Sequence, residues 1–173
     1  MTRHLYRIIY SKAVALILVS VFLFAITSCS ASKTNDSSPI GDVNYDTSVY
    51  VMSYENIEGE EEPGIVYREV VDFNKLVTDP NRTLVLYFYT TANADVYGIT
   101  AGVEDLAQYY ASDITFVGIN TIDMRDYTTA YNIVALPEFV LIRNNLIISY
   151  FEGYNYDYWT MEDVSYWIEE NLK

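Results

Sequence analysis

Thiol and imidazole are nearly missing from this 173-residue chain, which has one cysteine, Cys29, and one histidine, His4. A single thiol closes no intrachain disulfide, so a disulfide framework and two-thiol exchange are both excluded. His4 falls in a segment read below as a cleaved signal. A histidine base, a histidine metal triad and a cysteine nucleophile are therefore all lacking in the domain that follows. Basic side chains are also scarce, ten Lys and Arg against 24 Asp and Glu, for a formal charge of −14. A phosphate polymer would be repelled and would gain no counterion release, so nucleic acid is not a partner. The seven glycines include no phosphate-cradling loop, and no cofactor is expected. One apolar run stands out, Ala13 to Ile26, and it is short of the roughly 20 residues that span a bilayer.

What surrounds that run gives it a meaning. Arg3, Arg7 and Lys12 precede it as a cationic start, and Ile26-Thr27-Ser28-Cys29 closes it with small residues ahead of the one thiol. The four residues resemble a bacterial lipobox, with Ile, Thr and Ser where Leu, Ala or Ser, and Gly or Ala are commoner. The resemblance implies acylation of Cys29, cleavage before it, and attachment to the cell membrane or outer membrane on the extracytoplasmic side. An uncleaved N-terminal anchor with an incidental cysteine is the other reading and gives the same membrane face. One acyl chain holds only marginally, so the several chains of a mature lipoprotein matter for stable anchoring. Cleavage leaves seven basic against 24 acidic side chains, hence −17.

The expected organisation is a signal peptide over 1–28, lipidated Cys29 and a flexible tether over 29–50, and one domain over 51–173. The stretch from Ser30 to about Thr47 is small and polar and is broken by Pro39 and Gly41, a composition that buries too little apolar surface to fold alone. Glu58, Glu60, Glu61 and Glu62 read as a solvated loop. Beyond it, Ile65–Val70 predicts a strand and Val71–Thr78 a short helix. Thr83–Tyr89 is a β-branched and aromatic run suited to a central strand covered on both faces. Val96, Ile99, Val103, Leu106 and Tyr110 mark one face of a helix over 93–110. Ile114–Ile119 predicts a strand and Tyr127–Asn132 a short helix. Phe139–Ile142 and Leu146–Tyr150 predict a hairpin turning at Asn144-Asn145. Met161–Leu172 predicts a helix capped by Thr160 with Asp163, its buried stripe being Val164, Trp167, Ile168 and Leu172.

The order and several local sequences resemble thioredoxin over roughly Ile65 to Lys173. Leu84–Tyr89 stands where that family has its central strand, Ala135-Leu136-Pro137-Glu138 is similar to its Gly-Ile-Pro-Thr segment, and Phe151-Glu152-Gly153 resembles its hairpin-closing glycine. The resemblance implies an α/β fold with a mixed sheet of about five strands flanked by helices, and a cis bond between Leu136 and Pro137. It also implies where the redox cysteines would stand. This chain has Asn93 and Val96 there, and Tyr87 at the family's buried carboxylate, so no thiol-disulfide activity is expected. Asn93 and Asp95 suit a helix start, the alternative being direct ligand contact. Pro137 serves either a tight turn or the capture of an extended peptide on exposed backbone beside it.

Aromatics concentrate in Tyr150, Phe151, Tyr154, Tyr156, Tyr158 and Trp159, in a chain with 18 tyrosines. They either close the end of the core or form an exposed recognition patch for protein or sugar. The leading expectation is a redox-inactive, lipid-anchored module that binds an envelope protein or an extended peptide at Asn93, Asp95, Leu136 and Pro137. A carbohydrate-binding surface lipoprotein using Tyr154 to Trp159 is the alternative. An enzyme is not expected, since the scattered carboxylates show no paired spacing.

Overall fold

The computed structural model describes residues 37–93 and 96–173. Cys29, the signal segment and Asp95 lie outside the described residues. Seven strands form one mixed sheet: β1 (Ile40–Val43), β2 (Val49–Glu55), β3 (Gly64–Val70), β4 (Thr83–Tyr89), β5 (Thr115–Asn120), β6 (Glu138–Arg143) and β7 (Leu146–Phe151). Their spatial order is β1-β3-β2-β5-β4-β6-β7. Among the described residues four α-helices accompany them, α1 (Phe73–Val77), α2 (Val96–Tyr109), α3 (Arg125–Ala130) and α4 (Met161–Leu172). Among the described residues no helix is long and apolar enough to cross a membrane.

The strand predicted to be central is central. β4 lies between β5 and β6, and every residue from Leu84 to Tyr89 is buried. Alternation along β4 divides the core between two faces. Val85, Tyr87 and Tyr89 join Val103, Leu106, Val164 and Ile168 of α2 and α4. Leu84, Leu86 and Phe88 join Phe73 and Leu76 of α1 on the other side. The helices start as their sequences require. Asp72 Oδ1 accepts from the Lys75 amide at 2.9 Å, and Asp163 Oδ2 accepts from the Thr160 amide at 2.8 Å. Asn144 and Asn145 turn the β6–β7 hairpin at φ 53° and 62°, a conformation asparagine tolerates.

Two expectations need correction. The sheet has seven strands rather than about five, because β1 and β2 come from the stretch before residue 56. The tether expected over 29–50 therefore ends earlier, since Ile40–Val43 already pairs with β3. Pro39 and Gly41 did not prevent this, because Pro39 stands just outside an edge strand, where no ladder N–H is needed. Only β4 and β5 are parallel neighbours, and β2 inserts antiparallel between β3 and β5. Tyr50 to Met52 is paired on both sides and Val49 to Met52 is buried, which explains why this segment is sheet rather than linker.

Candidate functional site

The chain leaves β4 at Tyr89 and reaches α2 through Thr90 to Asn93. The Asn93 amide donates to the Thr90 carbonyl and the Val96 amide to the Asn93 carbonyl, both at 3.3 Å, so tight turns lead into the helix. Across from this corner, the loop before β6 brings in Leu136 and Pro137, joined by a cis peptide bond. Tyr89, Thr90, Asn93, Val96, Leu136 and Pro137 line a common cleft whose cavity volume is about 10 Å³. That is below the roughly 300 Å³ at which small-molecule pockets begin. The cleft is a surface feature, not a chamber. Three of the sequence-predicted residues, Asn93, Leu136 and Pro137, are thus brought together.

The backbone there has capacity to spare. Neither the N–H nor the C=O of Leu136 has a hydrogen-bond partner among the described residues. The segment is held from below by Glu138, a residue that sequence reading missed. Glu138 is buried, and its Oε2 accepts from the Val134 amide at 3.4 Å. Burial raises its carboxyl pKa, while backbone donors from Val134 and Ala135 oppose that rise. A glutamate opening a strand reads as exposed. Only the tertiary pairing of Glu138 with Phe88 reveals its burial.

At the position where the thioredoxin resemblance implies a buried carboxylate this chain has Tyr87, whose hydroxyl lies 3.2 Å from Thr100 Oγ1 on α2. Burial pushes its pKa up to about 12, so it stays a neutral phenol at ordinary pH. Tyr87 stacks on Tyr89 at 5.0 Å and on Phe139 at 5.2 Å. Tyr50 donates to the Tyr89 hydroxyl at 3.2 Å and stacks on Tyr67 at 4.2 Å. Tyr67 in turn donates to Glu104 on α2. The corner is filled by hydrogen-bonded phenols, which offer no electron-exchange chemistry of the disulfide kind.

The aromatic segment after β7 is divided between core and surface. Trp159 lies across Gly153, where an added Cβ would come within 2.6 Å of its Nε1, and meets Phe139 edge-on at 6.1 Å. Tyr156 stacks on buried Phe151 at 5.5 Å yet is 56 % exposed; Tyr154 and Tyr158 are 47 % and 82 % exposed. No ring contact joins Tyr154, Tyr156 and Tyr158 to one another. This segment adjoins the cleft. With Phe139 paired opposite Phe151, Pro137 and Gly153 lie at the same end of the sheet; desolvation first, then the Glu152 and Glu138 carboxylates, raise the Tyr154 pKa.

The Thioredoxin family model matches residues 65–162, more than half of the chain. The chain belongs to the thioredoxin family. With one cysteine in its sequence, this thioredoxin-family member carries no Cys-X-X-Cys pair. Similar solved structures include mitochondrial thioredoxin 3 from Saccharomyces cerevisiae in its oxidized form, at 22% identity and TM-score 0.49 over 57% of this chain and 86% of that one. A designed protein matches at 19% identity and TM-score 0.50 over 57% of this chain and 84% of its own. The germline-specific thioredoxin Deadhead from Drosophila melanogaster matches at 22% identity and TM-score 0.46, covering 52% and 81%. At 19% identity the likeness to the designed protein is one of fold alone. No curated protein matches the chain.

Proposed function

We propose that this thioredoxin-family domain is a redox-inactive binding module, anchored through Cys29 to the extracytoplasmic side of a bacterial membrane, that captures an extended segment of an envelope protein. The single observation carrying this reading is the unpaired backbone of Leu136 beside Pro137, in a cleft too shallow for a small molecule. An extended peptide answers both features, because its main chain supplies the missing donor and acceptor while its side chains lie on the surface. The lipobox-like residues before Cys29 support the anchor. The carbohydrate alternative has the exposure of Tyr154, Tyr156 and Tyr158 in its favour, but those rings form no shared platform on which a sugar ring could stack.

The test is an amide titration of the domain from Cys29 onward with a neutral extended peptide. Shifts at Leu136 and Asn93 are expected, and shifts confined to distant residues defeat the reading. A disulfide-reduction assay on the same protein should give no turnover above that of buffer. Cys29→Ser should move the full-length protein from the membrane fraction to the soluble extracytoplasmic fraction if lipidation holds it there.

A further inference from the structure

The exposed tyrosines and the charge around them indicate what sort of peptide this would be. Tyr154, Tyr156 and Tyr158 present large rings to solvent, yet their segment is fixed from beneath by Tyr156 on Phe151 and by Trp159 on Gly153. Fixed aromatic surface left in solvent is the usual mark of a contact site. Its electrostatics are one-sided. From Asn144 to Leu172 the chain has no Lys, Arg or His, whereas it has Glu152, Asp157, Glu162, Asp163, Glu169 and Glu170. The ion pairs Arg68–Glu55 and Arg82–Asp79 lie elsewhere. A negative field over tyrosine faces repels anions and suits a cation that is also flat.

We infer that Tyr154, Tyr156 and Tyr158, with the Glu152 carboxylate, form a subsite for arginine side chains of a cationic extended partner. This names the partner class of the peptide-capture reading and rests on it for the placement beside Pro137. A guanidinium stacks on a phenol ring while its N–H groups face a carboxylate, whereas an ammonium is more strongly hydrated and stacks poorly. The position is favourable. β6 and β7 pair with Phe139 opposite Phe151, so Pro137 and Gly153 lie at the same end of the sheet and a strand running past Leu136 would reach this segment.

The experiment titrates the domain from Cys29 onward with oligoarginine, oligolysine and a neutral peptide of equal length, following backbone amides. Oligoarginine should bind several-fold more tightly than oligolysine, with shifts over Glu152 to Trp159. Tyr158→Ala should weaken it about three- to fivefold, as should Tyr158→Leu, which keeps apolar area but removes the π face. Tyr158 touches no other ring, so both variants should fold as the parent does. Equal affinity for arginine and lysine, or indifference to both Tyr158 variants, overturns the subsite. If the neutral peptide shifts Leu136 and Asn93 while oligoarginine has no advantage, the cationic subsite fails and backbone capture stands. If oligoarginine seats on the tyrosines while Leu136 and Asn93 stay silent with every peptide, backbone capture fails and the subsite stands.

Discussion

The two faces of the sheet are built from different chemistry although one strand, β4, supplies both. Toward α1 and α3 it presents Leu84, Leu86 and Phe88, which meet Val117, Ile119, Val140 and Ile142. Toward α2 and α4 it presents Val85, Tyr87 and Tyr89, and these join Tyr50, Tyr67 and Tyr110. The first face is held by shape and area alone. The second also has direction, because its phenols find named partners: Tyr87 at Thr100 of α2, Tyr67 at Glu104 of α2, and Tyr110 at Ser165 of α4, 2.9 Å away. No buried side-chain nitrogen or oxygen among the described residues lacks a partner. The lesson is that a polar atom enters a core cheaply when its bond is ready, and here Tyr87 and Tyr67 tie α2 to the sheet while Tyr110 ties the end of α2 to α4.

That contrast can be broken by mutation. On the face toward α1, Leu86→Ala removes a fully buried side chain between two paired strands and should cost about 3 kcal/mol in urea unfolding, within a range of roughly 2 to 5. On the phenolic face, Tyr87→Phe keeps the ring and its stacking but deletes the bond to Thr100, for about 1 kcal/mol. A Tyr87→Phe loss as large as that of Leu86→Ala would show that the hydroxyls, not the rings, hold that face. Tyr50→Phe is a sharper case at a similar magnitude, about 1 kcal/mol, because it strips the Tyr89 hydroxyl of its donor. A double variant with Tyr89→Phe should recover part of that loss, since no orphaned oxygen remains. If the double variant loses the sum of the two single losses, the Tyr50–Tyr89 bond contributes nothing.

Much of this was legible because it depends on local pattern. The continuous apolar run of β4, the three- and four-residue spacing in α2 and the Thr160–Asp163 cap of α4 all encode their elements within a dozen residues. So does the Asn144-Asn145 turn. β2 was not legible in the same way, since Val49 to Met52 gains its burial from β3 and β5, partners far along the chain. The site divides likewise. Family order placed Asn93, Leu136 and Pro137 in one cleft, but Glu138 needed its tertiary neighbours to be recognised as a buried support. The assignment of tyrosines to one face depended on register, which a run such as Thr83–Tyr89 leaves open until its neighbours are known.

The smallest expected effect lies in pH dependence, where the support beneath Pro137 and a surface ion pair should act in opposite senses. Burial raises the Glu138 pKa, so between the ordinary glutamate range and that raised value the native protein holds a proton that the unfolded chain has released. Stability therefore falls as pH rises through that window, and Glu138→Gln should flatten this slope. Glu55 is the reverse case, its pKa lowered by the hydrogen bond from Arg68. Its contribution is present above the ordinary glutamate range and is lost as pH falls through the lowered value, so Glu55→Gln should flatten the acid limb instead. Urea midpoints for the parent and both variants, measured from neutral to acid pH, separate the two. If Glu138→Gln leaves the slope just above the ordinary glutamate range unchanged, its carboxylate is solvated in the native state, and the loop from Val134 to Pro137 owes its position to packing alone.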